Sequence, residues 1–360
     1  MSSGHATLRC RMATPGNPFR FAPAFLLGLT LPLGTALRTA TSGWSCFLPF
    51  VTAIAAVPLG DWFITGFETR GSPSAGSPND SAPDPGTSRE SAYSALLWLY
   101  VPFQLAVLVF ALHILVTSGL TLWEAYGLAL STGFITGGIG ITVAHELIHR
   151  RRPWERALGL SLLSMVLLMH FRVEHVFGHH KNVGTPEDPA TARRGESLYA
   201  YYFRAIPGAL RHAWALEKKK SPGRNRILHY FLIQIGIVLA VGWAGGLLAV
   251  GFFVFQAWTG WLLLATIDYV EHYGLRRREI SPGRYEPVGG AHSWDSPNPV
   301  PNAFLFNLGL HSAHHLEPFK PYQKLRPVFA APRLPAGYPT MLLFALFPPI
   351  WRKLMDNRAP

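Results

Sequence analysis

Charge is scarce in this chain and cysteine is nearly absent. Only 14% of the 360 residues are charged, and the two cysteines are Cys10 and Cys46. So little charge excludes an ordinary soluble domain, in which about a quarter of residues are charged. With Cys10 near the N-terminus and Cys46 opening an apolar run, no disulfide framework and no thiolate metal site is readable. Any transition metal must therefore be held by other side chains. What is abundant is apolar: 49% of residues are hydrophobic, including 23 Phe and 11 Trp. The apolar residues fall into runs near the ~20 residues that cross a ~30 Å hydrocarbon core. The net charge of +12 does not read as a nucleic-acid surface. Its basic residues sit in short clusters beside the apolar runs, at Arg150 to Arg152, Lys218 to Lys220 and Arg276 to Arg278, as positive loops do on a cytoplasmic membrane face.

The runs predict six transmembrane helices in an all-α integral membrane protein. The first covers roughly Phe21 to Leu37; with Arg9, Arg11 and Arg20 before it, it imitates a signal peptide, but the spans that follow favour a first membrane helix. The next three cover roughly Cys46 to Ile64, Leu96 to Thr117 and Trp123 to His149. A Gly-, Pro- and Ser-rich stretch from Gly71 to Thr87 reads as a flexible loop. The stretch from Ile227 to Val270 holds two helices with a turn near Gly242, Gly245 and Gly246. The piece from Ala157 to Phe171 is short and is expected to be re-entrant or interfacial, which keeps the residues on either side of it on one face. Met341 to Trp351 is too short to span. The expected organisation is an N-terminal cytoplasmic tail (1–20), a transmembrane domain (21–275) and a cytoplasmic cap (276–360), with both termini inside.

Fifteen histidines are present, and nine are grouped. His145 and His149 stand in HELIH, one helical turn apart on one face. His175, His179 and His180 stand in EHVFGHH, His272 in DYVEHYG, and His311, His314 and His315 in HSAHH. All four stretches fall at the expected cytoplasmic boundary. Nine imidazoles exceed the four ligands of one zinc. Two irons with four or five nitrogens each use them all and leave positions for O2. The same count argues against a zinc protease, although HELIH matches its motif with Glu146 as base. His113, His170, His5, His212 and His229 read as structural or solvated. Glu146, Glu174, Asp188, Asp268, Glu271 and Asp295 accompany the boxes. Carboxylates there commonly take the second N–H of a ligating imidazole, and that role is expected of Glu146, Glu174 and Glu271, with Asp268 one turn before His272 a further candidate; pairing with Arg150 or Arg172 is the alternative.

These strings resemble the membrane-bound alkane 1-monooxygenases, relatives of fatty-acid desaturases. The likeness rests on HELIHR (from His145), EHVFGHHKNVGTPEDPA (from Glu174), DYVEHYGL (from Asp268), HSWDS (from His292), HSAHHLEP (from His311) and the ending GYPTMLLFALFPPIW, and covers roughly Asp61 to the C-terminus. The resemblance implies a six-helix bundle with a cytoplasmic site of two non-haem irons on His145, His149, His175, His179, His180, His272, His311, His314 and His315. Glu146, Glu174, Asp188, Glu271 and His292 become the accompanying site residues. It also implies terminal hydroxylation of an alkane with O2, electrons from rubredoxin and its reductase, and location in a bacterial-type inner membrane. One departure stands out: Leu308, Gly309 and Leu310 precede His311 where the family commonly reads Leu-Gln-Arg. The ligands survive it, so the substrate is what it puts in question, and methyl hydroxylases of xylene or cymene, which share the boxes, are the alternative. A desaturase is the main rival within enzymes, and a metal transporter the rival outside them. Gly133, Gly137, Gly138 and Gly140 either leave space for a hydrocarbon or, as GxxxG, let helices approach. The basic loops, Lys218 to Lys220 among them, suit an acidic electron carrier, although topology alone also explains them.

Overall fold

A computed structural model describes residues 17–65, 87–220 and 223–359. The tail up to residue 16 and positions 71–86 of the expected loop lie outside the described residues. Among the described residues, four helices are long and apolar enough to cross a membrane: α2 (Trp44–Thr65), α3 (Thr87–Thr117), α4 (Leu122–Ile148) and α8 (Arg226–His272). Where the first span is expected, the chain forms a shorter apolar helix, α1 (Pro23–Ala36), whose 14 residues reach roughly 21 Å, less than a ~30 Å hydrocarbon core. Helix α4 begins where it does because Thr121 and Glu124 form a capping box. The 47 residues of α8 are two helices meeting at Gly246, whose φ of 68° and ψ of −166° no helix contains. The turn expected near three glycines thus falls at the one with positive φ.

The short apolar piece does reverse. Helix α5 (Pro153–Met165) runs back along α4, and the chain then turns and returns through the helical segment α6 (171–182). A reversal inside an apolar bundle leaves backbone groups without water, and each must find a partner. Leu167 takes a φ of 54°, and Leu168 N–H closes onto Leu163 O. Three more groups are met from α8. Gln256 Nε2 donates to Met165 O at 2.8 Å, Trp261 Nε1 to Val166 O at 2.8 Å, and Met169 N–H donates to Gln234 Oε1 at 2.9 Å. Residues on both sides of Gly246 therefore reach one tip, which sets the two halves of α8 side by side and antiparallel.

Helix α7 (Leu198–Lys220) lies across α6 and the end of α8. The remainder is irregular: a small hairpin of β1 (Glu279–Ser281) and β2 (Arg284–Tyr285), then α9 (Pro299–Phe304), α10 (His311–Leu316), α11 (Tyr338–Ala345) and α12 (Pro348–Met355). The C-terminal apolar run is thus two short helices, with Met341, Ala345 and Trp351 buried against Tyr269 and Tyr273. Asn298 Nδ2 donates to Asp61 Oδ2 at 2.7 Å and ties this part to α2. Phe21 stacks on Phe306 and meets Tyr322 edge-on, pinning the loop ahead of α10.

Gln256→Leu leaves the Met165 carbonyl buried without its side-chain partner. The expected loss is about 1–3 kcal/mol, read as a lower unfolding midpoint of the solubilised protein; an unchanged midpoint shows that the Gln256 bond does not hold the tip.

Candidate metal centre

The histidine boxes converge, but they do so by splitting. One group holds His145, His149, His175, His180 and His314; the other holds His179, His272, His311 and His315. Within each group the candidate ligand nitrogens all lie within 4.8 Å of one another. His145 and His149 reach the first group from the last turn of α4. The split of the second box comes from a π-turn over His175–His179. Its wider i→i+5 winding sets His175 and His180 with their Nε2 atoms 3.0 Å apart, while His179 joins the other group. On α10 the ordinary helical period does the same, placing His311 and His315 together and His314 in the five-histidine group.

The donor atoms fit metal ions. His180 Nε2 is 3.0 Å from His175 Nε2 and 3.1 Å from His314 Nε2. His311 Nε2 is 3.2 Å from His272 Nε2 and 3.0 Å from His315 Nε2. Two nitrogens bound at about 2.1 Å and roughly a right angle lie about 3 Å apart. His145 Nε2, His179 Nε2 and both nitrogens of His149 are buried with no hydrogen-bond partner, a costly arrangement unless a cation takes the lone pairs. Burial, reinforced by neighbouring imidazoles, holds His149, His175, His180, His311, His314 and His315 well below the ordinary imidazole pKa. They are neutral donors at physiological pH, as ligation requires.

His179 differs. Burial opposes its charge, but Asp188 outweighs burial and lifts the ring to about 9. Asp188 Oδ2 accepts from His179 Nδ1 at 3.0 Å and from Thr191 Oγ1 at 2.6 Å, and Oδ1 accepts from Ala190 N–H. The carboxylate holds the proton on Nδ1, so a metal ion taking Nε2 would displace only the second proton of this ring. Glu271 stands closest to a ligand position, with Oε2 3.2 Å from His311 Nε2. Glu146 faces the other way, accepting from Tyr322 N–H at 3.3 Å and lying 3.7 Å from Arg150. Glu174 pairs with His212, Oε1 to Nδ1 at 3.2 Å. His212 was read from sequence as structural or solvated, and nothing local marked it; α7 brings it over Gly178. His292 contributes through its backbone: its carbonyl lies 3.3 Å from His272 Nδ1. Its ring turns to Gly289 N–H and Glu286. Asp295, whose Oδ1 accepts Ser312 N–H at 2.8 Å, steadies the start of α10. His170 is buried against Trp261 and belongs to neither group.

The unusual Leu308, Gly309 and Leu310 sequence has a local explanation. A Cβ at Gly309 would stand 2.2 Å from Ser296 O, so the backbone passes where only glycine fits. Leu310 packs with Ala313, Leu325 and Val328, an apolar nest without room for a charge.

An apolar cavity of about 120 Å³ reaches the centre. Ile54, Phe134, Ile141, Leu264 and Leu305 are among its walls, and His145, His175, His311, Asp268 and Glu271 bring the centre into its lining. The glycines of α4 divide their roles. Cβ atoms at Gly133 and Gly137 would strike Thr259 and Gly260 of α8, whereas one at Gly138 would meet nothing within 4 Å and point into cavity space.

A sequence model of the fatty acid desaturase family matches residues 121–345. Alkane 1-monooxygenase 1 of Pseudomonas aeruginosa is 39% identical over 290 residues, covering 78% of this chain and 76% of that protein. This chain belongs to the alkane 1-monooxygenase family. Alkane 1-monooxygenase of Pseudomonas putida is 38% identical over 279 residues, 75% of this chain and 69% of its own length. More distant is the hydroxylase component of a xylene/toluene monooxygenase from Pseudomonas putida, 26% identical over 245 residues, 64% and 63% of the two chains. As an alkane 1-monooxygenase, the chain places both histidine groups inside the matched region.

Asp188→Asn should lower metal affinity of the four-histidine group by about 10–100-fold. Chelator competition followed by metal analysis reads this directly; equal loss from both groups shows that Asp188 supports the whole centre instead of His179.

Proposed function

We propose that the chain hydroxylates the terminal methyl group of n-alkanes, giving primary alcohols. The observation that supports this most strongly is an apolar cavity lined in part by imidazoles of both histidine groups. The overall balance is R–CH3 + O2 + 2 e− + 2 H+ → R–CH2OH + H2O. Irons held by the two groups would supply the oxygen activation, since imidazole suits non-haem iron. The chain's own residues do the rest. A hydrocarbon offers no polar handle, so cavity walls orient it by shape, each buried CH2 contributing about 0.8 kcal/mol. Gly138 leaves space along that path, and the part lined by imidazoles presents one methyl to the centre. Asp188 orients His179, and the His292 carbonyl orients His272. Glu271 places the carboxylate nearest the reacting end of the cavity, where a proton can be held.

In this reading α1, α2, α3, α4 and the two halves of α8 make six crossings of a bacterial inner membrane. The clusters at Arg150 to Arg152, Lys218 to Lys220 and Arg276 to Arg278 lie on the cytoplasmic side, following the positive-inside bias. Residues from Arg276 onward form a cap that completes the centre, and rubredoxin, served by its reductase, delivers the electrons. Methyl hydroxylation of alkyl-aromatics is the second reading, favoured by the xylene/toluene relative.

Cells expressing the chain with a rubredoxin system, given n-alkanes and alkylbenzenes under 18O2, should produce labelled primary alcohol, and His272→Ala cells none. Labelled benzylic alcohol alone favours the second reading. Alkene without label identifies a desaturase and contradicts hydroxylation. Gly138→Leu should lower kcat/KM for the longer alkanes accepted by about tenfold, while sparing shorter ones; a uniform fall across the series removes Gly138 from the substrate path.

A further inference from the structure

Resting on the oxygenase reading, which draws two electrons per turnover from outside the chain, we propose that a small acidic electron-carrier protein docks on Leu316, Phe319, Lys181 and Arg277, over His180 and His149. Of the nine clustered imidazoles, only His180 is not fully buried. The histidine centre therefore comes nearest to solvent beside it. Lys181 follows directly and is exposed, and Arg277 Nη1 donates to its carbonyl at 2.9 Å. On another side, the His180 ring lies 4.6 Å from that of His315, whose neighbour Leu316 is 44% exposed. Phe319 is 62% exposed and meets His149 edge-on with centroids 6.5 Å apart. The His149 ring is itself 4.7 Å from His180.

The patch thus has an apolar centre in contact with a metal-binding imidazole and a basic border, widened by exposed Arg276 and Arg278. Arg278 lies 3.7 Å from Glu286, and Glu317, the carboxylate within the patch, is paired with Lys320 at 2.8 Å. This design suits a partner with an apolar contact around its redox group and an acidic rim: charge steers the encounter, and the apolar core holds it. Each reduced carrier gives one electron and leaves oxidised by one; two visits and two solvent protons complete the balance above.

Two other exposed features lack the connection. Phe203 is 84% exposed on α7 but makes no ring contact with a ligand. Lys220 lies over the Phe177 ring at 4.7 Å, close in sequence to Arg226, where α8 begins, so Lys218 to Lys220 sit at the foot of an apolar helix.

The test uses the full metal-loaded chain in phosphatidylcholine nanodiscs, with rubredoxin as the probe and binding kinetics read by surface plasmon resonance. Lys181→Glu combined with Arg277→Glu should slow association about tenfold at low salt and flatten its salt dependence. Phe319→Ala should instead speed dissociation several-fold with little change in association. Lys218→Glu should change neither. Wild-type kinetics in both patch variants overturn the proposal, as does an effect confined to Lys218→Glu. Binding abolished by phosphatidylserine nanodiscs, and restored there by the Lys181 and Arg277 reversals, assigns the patch to lipid headgroups and also overturns it. Labelled alcohol formation by wild type with a chemical reductant separates the two levels. If alcohol forms and the patch variants bind normally, only the docking site is wrong. If no reductant yields alcohol, the oxygenase reading fails and takes the proposal with it.

Discussion

Nine clustered imidazoles, eight of them buried, must share their lone pairs with something, and much of the molecule is arranged around that requirement. Nε2 atoms 3.0–3.2 Å apart, beside the partnerless Nε2 atoms of His145, His149 and His179, are stable together only around cations. Bringing them together takes the end of α4, the π-turn of α6, the end of α8 and all of α10. Each of those elements is then held by a feature that otherwise looks incidental. The α5 reversal lies just ahead of α6, Asp295 steadies α10, and Phe21 with Tyr322 pins the loop before it.

The centre also explains why an apolar bundle tolerates buried polar side chains. Gln234, Gln256 and Trp261 lie far along α8 from His272 in sequence, yet they close the backbone groups of the turn that sends the chain back into the second histidine box. Without them the turn would leave bare carbonyls in hydrocarbon. The same helix accepts Gly133 and Gly137 of α4 at close range, while Gly138, one residue on, opens the cavity. Packing and cavity space are thus separated by one position on a turn of α4, Ile135–Gly140, that is wound as a π-helix.

Much of this was legible in the sequence. HELIH on a helix predicts two convergent imidazoles, and apolar runs of the right length predict the long helices. The short run from Ala157 to Phe171 reads as re-entrant or interfacial, and the chain does turn back within it, at Leu167. The five-and-four partition was not legible, because it depends on a π-turn at His175–His179 that the spacing of EHVFGHH does not announce. The pairing of His212 with Glu174 is a tertiary contact made by α7 and leaves no local pattern. His292 drew attention as a side chain, whereas the useful group is its carbonyl. Leu310 stood out as a missing charge, and its apolar neighbours explain the residue chosen. The choice among glycines at 133, 137 and 138 required knowing which face α8 covers.

Metal stoichiometry tests the central claim most directly. Purified wild-type protein should carry about two irons per chain, while His145→Ala with His314→Ala, and His311→Ala with His315→Ala, should each retain about one. Mössbauer spectra of the two double variants should then show different sites whose sum reproduces the wild type. A wild-type chain holding a single iron, or either double variant losing both, would contradict two separate histidine-held sites.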